Sequence, residues 1–207
     1  MADAPRWPAC RPRPRTGRYD PALMRRLATL LVLLACGLVA AGCGNKQETI
    51  TQGETEGIYI DIDEMKYQVQ ISRYINADDI EDRDYLKGLP ANTEQPGGDE
   101  TWFGVFLRVQ NETDETIAPA NDFEIVDTLD NVNRPIPLDR DANPFAYQPD
   151  PIAPGSLIPE PDSVGSEGVI QGSLLLFKVK TSSLQNRPLE FKFRRGSGTQ
   201  ATVDLDV

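Results

Sequence analysis

Trp102-Phe103-Gly104-Val105-Phe106-Leu107-Arg108-Val109 is the stretch on which the fold turns. Phe103, Val105, Leu107 and Val109 recur at every second position, the period at which a strand presents one face. Trp102 and Phe106 fall on the other parity, so the second face carries apolar area as well. A strand that is apolar on both faces belongs in the middle of a sheet.

The same period continues outward. Ile58, Ile60 and Ile62 alternate with Tyr59, Asp61 and Asp63, and Met65, Tyr67, Val69 and Ile71 alternate with Lys66, Gln68 and Gln70. The change of parity between the two sets calls for a turn or bulge at Asp63 and Glu64. On the far side come Phe123 to Leu129, Ile136 and Leu138, Gly172 to Lys180, Leu189 to Arg194 and Ala201 to Val207. Gly196, Ser197 and Gly198 predict a hairpin between the last two. Asn76 is placed to cap a short helical turn and Gly88 to end it; the acidic residues between them predict a solvated helical face over 76–86. A Pro-rich loop over 144–163 carries Phe145, Tyr147, Ile152, Leu157 and Ile158, which are read as covering one end of the core. Some seven short strands with turns between them and no long helix predict an all-β fold, a β-sandwich over 57–207.

Ahead of the sandwich lies a different kind of sequence. Residues 1–23 are rich in Arg and Pro without apolar periodicity, which predicts disorder and suggests that Met24 is the true start. From Met24 the chain reads Arg25, Arg26, an apolar run from Leu27 to Val39, then Ala40, Ala41, Gly42 and Cys43. A charged start, an apolar core and a small-residue exit are the parts of a secretory signal. The run from Leu27 to Gly42 is shorter than the roughly 20 residues that a spanning helix needs, so residues 24–42 are read as a cleaved signal peptide. Residues 43–56 are polar and Gly-containing and predict a flexible tether, spanning roughly 20 Å as a random coil.

Charge and residue usage narrow the function. Removing the seven basic and two acidic residues of 1–42 from totals of 21 and 32 leaves 14 and 30, a net charge of −16 on residues 43–207. Such a surface repels nucleic acid and anionic headgroups. The sequence has no histidine, which excludes a Ser-His-Asp triad, a Cys-His pair and imidazole ligands for zinc or copper. Of the three cysteines, Cys10 and Cys36 lie in the leader, which leaves Cys43 as the one cysteine of residues 43–207, so no disulfide is expected within the mature chain. No cofactor is implied. Asp139, Asp141, Asn143 and Asp150 take the first, third, fifth and twelfth positions of a calcium loop, but Pro144 stands at the sixth, where that loop needs Gly; no metal site is assigned. Asn111-Glu112-Thr113 spells a glycosylation acceptor and is read as a strand-ending turn.

Two resemblances add to this. The stretch Ala40-Ala41-Gly42-Cys43 behind an apolar run resembles the lipobox of bacterial lipoproteins, with Ala40 where the pattern usually has Leu. It implies a diacylglyceryl group on the Cys43 thiol, cleavage just before it, and a domain anchored on the extracytoplasmic face of the membrane. Trp102 to Asn111 with Phe123, Val126, Pro154, Gly155, Gly168 to Val179 and Leu189 to Phe193 resembles the immunoglobulin-like domain of unknown function of secreted bacterial lipoproteins, and is similar to secreted immunogenic sandwich proteins of mycobacteria. It implies an immunoglobulin-like sandwich and carries no activity onto any residue. The expected function is a non-catalytic interaction or ligand-binding module whose partner is an envelope protein or glycan. The alternative is an enzyme that uses paired carboxylates on envelope polymers.

Overall fold

Ten strands follow one another in the computed structural model, which describes residues 49–207: β1 (Gln52–Gly53), β2 (Tyr59–Ile62), β3 (Met65–Ile75), β4 (Glu100–Asn111), β5 (Asp122–Val126), β6 (Val132–Asn133), β7 (Leu157–Ile158), β8 (Ser173–Lys180), β9 (Leu189–Arg194) and β10 (Gln200–Leu205). The leader expected over 1–23, the signal peptide expected over 24–42, Cys43 and the first part of the expected tether lie outside the described residues. One sheet has the order β1-β10-β9-β5-β6; the other has β2-β3-β4, with β8 and then β7 along the remaining edge of β4. In immunoglobulin lettering, β3, β4 and β8 stand as A, B and E in one sheet, and β5, β9 and β10 as C, F and G in the other. The expected immunoglobulin-like β-sandwich is the fold.

Period two explains which residues meet inside. Phe103, Val105, Leu107 and Val109 on β4 face Phe191 and Phe193 on β9, Ile125 on β5 and Val203 on β10 in one buried cluster. The aromatic rings pack against one another at its centre: Phe123 stacks on Phe191 at 5.9 Å, and Tyr67 meets Phe193 at 5.1 Å. Two buried hydroxyls close the cluster around the backbone of one residue, Ala120. The Tyr67 hydroxyl accepts the N–H of Ala120 at 2.9 Å, and the Tyr147 hydroxyl donates to the Ala120 carbonyl at 2.8 Å. Burial first, and then the neighbouring Tyr67, push Tyr147 well above its ordinary pKa; for Tyr67 burial outweighs the bond from Ala120 and carries the phenol to about 12.

The turn at Asp63 and Glu64 is present, with positive φ at both residues (50° and 66°). That is the pair of left-handed residues that a two-residue hairpin with the right twist requires. The register of β3 against β4 slips between Val69 and Ile71, a bulge that the alternation through Ile71 did not announce. Beyond it Ser72 takes the buried position opposite Val105, while Ile71 and Tyr74 are exposed.

Three expectations are corrected. Residues 49–56 are not a free tether: β1 pairs parallel with β10, and Ile50 accepts the Asp61 N–H. Glu56 takes the N–H and hydroxyl of Ser72 and the N–H of Asp206. This strap joins the two sheets, so the folded unit begins before residue 57. The strand expected to reach Leu129 stops at Val126, because buried Asp127 turns the chain by accepting the N–H groups of Leu129 and Asn131 and the side-chain amides of Asn131 and Asn186. The acidic segment is mostly turns, with a single 3-10 turn at Arg83–Leu86 whose preceding residue is Asp82, not Asn76. Asp82 is buried: it accepts the Asn76 N–H and pairs with Arg73 at 2.9 Å.

Candidate functional site

The outer face of the β3-β4-β8 sheet carries Ile75, Trp102, Phe106, Leu174 and Leu176, a second apolar cluster that would otherwise lie in water. Two segments cover it. Tyr85, Leu86 and Leu89 come from the end of the acidic segment, and Ile136, Leu138, Phe145 and Ile170 from the crossover that leads back from β6. Tyr85 is the meeting point, with its ring 5.0 Å from Phe106 and 4.9 Å from Phe145. The seal over Trp102 is tight enough that its Nε1, buried, has no hydrogen-bond partner among the described residues.

Polar bonds clasp the two covering segments to each other. Asn143 is fully buried and donates from Nδ2 to the carbonyls of Tyr85 and Lys87 at 3.0 and 2.9 Å, while its Oδ1 accepts the Phe145 N–H. The Asp139 N–H donates to Gly88 O at 2.8 Å. Gly88 has φ +73°, and a Cβ there would stand 2.6 Å from Asp139 O, so only glycine fits this crossing of chains. Gly88 thus ends the 3-10 turn as expected and also makes room for its neighbour.

The structure disperses the calcium-like residues. Asp139 accepts the Asp141 N–H, Asp150 pairs with Arg140, and Asn143 points into the clasp. No group of three or more acidic, His or Cys side chains among the described residues is placed to hold a metal ion. Asn111 is fully buried, with Nδ2 donating to the carbonyls of Glu115 and Ile152 and Oδ1 accepting from Thr113. The Asn-Glu-Thr stretch is therefore a strand-ending turn whose amide has no room for a glycan.

What the cover does create is clefts. One of about 290 Å³ opens between Arg140, Asn143, Gln148, Asp150, Glu160 and Ser163. A second, of about 220 Å³, lies beside Phe123, Pro135, Pro137, Leu138, Tyr147 and Pro149. The third, about 190 Å³, is lined by Arg108, Leu157, Pro159, Pro161, Ser166 and Gln171. Two carboxylates, Asp150 and Glu160, share the first of these, and Asp150 is committed to Arg140 there.

Arg108 escaped notice in the sequence. It is the polar residue among the apolar ones of the central strand, on the outer parity with Trp102 and Phe106, and that interruption was the available signal. It is half-buried, and among the described residues its side chain makes no ion pair and no hydrogen bond, whereas Lys66, Arg73, Arg134, Arg140 and Arg194 each hold a carboxylate.

A scan against protein-family models finds no match, and neither does a comparison with curated proteins. Solved structures of similar shape include the yjhA protein of Bacillus subtilis (10% identity, TM-score 0.45, covering 74% of this chain and 99% of that one). A conserved hypothetical protein of Bacillus anthracis has TM-score 0.41 and 10% identity over 72% of this chain and 94% of its own. An uncharacterised β-sandwich protein of Clostridium difficile has the same score and identity over 74% and 95%.

Proposed function

We propose that this protein is a lipid-anchored, non-catalytic binding module on the extracytoplasmic face of a cell membrane, with a protein or glycan of the cell envelope as its ligand. The anchor rests on the sequence from Met24 to Cys43. The binding reading rests on one observation: a single Pro-rich stretch, from Pro135 to Pro161, lines three adjoining clefts on one side of the sandwich. A wall built of proline loses little conformational freedom when a ligand docks, and surface loops on a rigid scaffold are where sandwiches commonly bind. The absence of histidine from the sequence and the pairing of Asp150 with Arg140 favour binding over hydrolysis.

The two halves are tested separately. Cys43→Ser should move the protein out of the membrane fraction or leave it uncleaved, and mass spectrometry of the wild type should find an acylated Cys43 as the N-terminus; an unacylated N-terminus elsewhere sinks the anchor. For binding, the immobilised chain is presented with envelope extracts beside Gln148→Trp, which crowds the wall common to two of the clefts. Specific capture should be lost in the variant. Equal capture by both proteins, or turnover of an envelope polymer, overturns the reading.

A further inference from the structure

We propose that the Arg108 cleft is a binding site for a small organic carboxylate, a monoanion held by the guanidinium with its apolar body against proline. The inference rests on the binding-module reading and gives that reading a ligand class at one of its clefts. Four observations lead to it. Arg108 is uncommitted among the described residues of a strongly acidic chain, as noted above. No Asp or Glu lines its cleft, whose walls are Leu157, Pro159 and Pro161 on the apolar side and Ser166 and Gln171 on the polar side. Ser166 spends its hydroxyl proton on Ser163 O at 2.9 Å, and the Gln171 amide has no partner among the described residues. Finally, the cleft is built by backbone packing: Gly172, next to Gln171, donates to Gly165 O at 3.1 Å, and a Cβ on it would stand 3.0 Å from Phe106 C, two residues before Arg108 on the same strand.

These features select the ligand. A guanidinium presents a planar fork that matches a carboxylate with two parallel hydrogen bonds. One cation balances one negative charge; a phosphate dianion would leave a charge uncompensated in a half-buried site on an acidic molecule. At about 190 Å³ the space is below the roughly 300 Å³ at which drug-sized sites begin, which admits a fragment-sized acid. Leu157, Pro159 and Pro161 contribute apolar area for its body and reject a fully hydrated anion.

The probe is sodium benzoate, titrated into the isotope-labelled full chain and followed by the Arg108 Nε–H and the backbone amides of Ser166 and Gln171. Saturable shifts confined to this cleft are expected. Arg108→Gln should weaken binding by at least about tenfold, as loss of a charge-assisted pair does; Arg108→Lys, which keeps the charge without the fork, should fall in between. Arg140→Gln should bind as the wild type does, and neutral benzamide should not saturate the site. Unchanged melting of Arg108→Gln excludes misfolding as the cause. The proposal is overturned if no saturable shift occurs, if shifts map elsewhere, if Arg108→Gln or benzamide binds equally well, or if inorganic phosphate binds as tightly as benzoate. Loss of benzoate binding with envelope capture intact removes this inference alone.

Discussion

Asn143 has no exposed surface, and every polar atom of its side chain is committed to the clasp between the two covering segments. Asn143→Ala leaves two carbonyls and one N–H without partners in a buried place, a loss of about 1–3 kcal/mol that urea unfolding will read. Asp141→Ala, two residues away and exposed, should change stability by no more than about 0.5 kcal/mol. Phe191 gives the matching experiment in the main core: it is fully buried among Phe123, Phe177 and Phe193. Phe191→Ala should cost about 3–5 kcal/mol, and Lys192→Ala on the opposite face about 0.5 or less; comparable losses would mean that the facing assignment of β9 is wrong. Phe191 was legible because period two states which side of a strand is wet. Asn143 was not. The Asp-x-Asp-x-Asn spacing reports short polar side chains that bend back on their own backbone, and both calcium loops and turns use them. Only the arrival of Tyr85 and Lys87, more than fifty residues away, fixes which use is made.

At the level of strands, β10 and β9 set Asp204 directly opposite Glu190. Burial first, and then Glu190, raise the pKa of Asp204 above its ordinary value, the sign of an unfavourable charge. Asp204→Thr should stabilise the sheet by about 0.2–1 kcal/mol, measured as a higher urea midpoint. Gly172→Ala should act in the other direction, since its Cβ meets the β4 backbone and not a movable side-chain end; the prediction is a lower midpoint of unfolding together with altered amide shifts around Arg108. Most strands were readable in order because each is defined by its own alternation. Three features were not. The bulge at Gln70, the cover over Trp102 and the strap at 49–56 depend on partners far along the chain, and nothing in their local sequence states them. Trp102 and Phe106 did signal that their face needed covering, without saying by what.

For the molecule as a whole, acid and alkali act through different groups. In Asp127 burial would raise the pKa, but the bonds from Asn131, Asn186 and Leu129 outweigh it and hold the carboxyl far below its usual range. Asp122 is lowered first by its hydrogen bond from Arg194. A depressed acid contributes stability above its unfolded pKa of about 4 and loses it as pH falls through the folded value, so unfolding should become easier below about pH 4. Tyr67 and Tyr147 are raised. The stability they contribute is complete below the unfolded tyrosine value near 10 and is lost as pH rises from there through about 12 for Tyr67. Tyr147→Phe, which keeps the ring and removes one phenol, should weaken that alkaline loss while leaving the acid limb alone; an unchanged alkaline limb would refute the assignment. The strap at residues 49–56 carries a mechanical meaning. Because β1 lies parallel to β10 and its preceding residue Thr51 accepts the Thr202 N–H, a pull along the strands from the N-terminal side loads those bonds in shear, together. They cannot open one after another as the teeth of a zipper do. Behind them Glu56 spreads the load to Ser72 in one sheet and to Asp206 beyond the end of β10, so tension applied from that side is shared by both layers before any core strand is asked to slip.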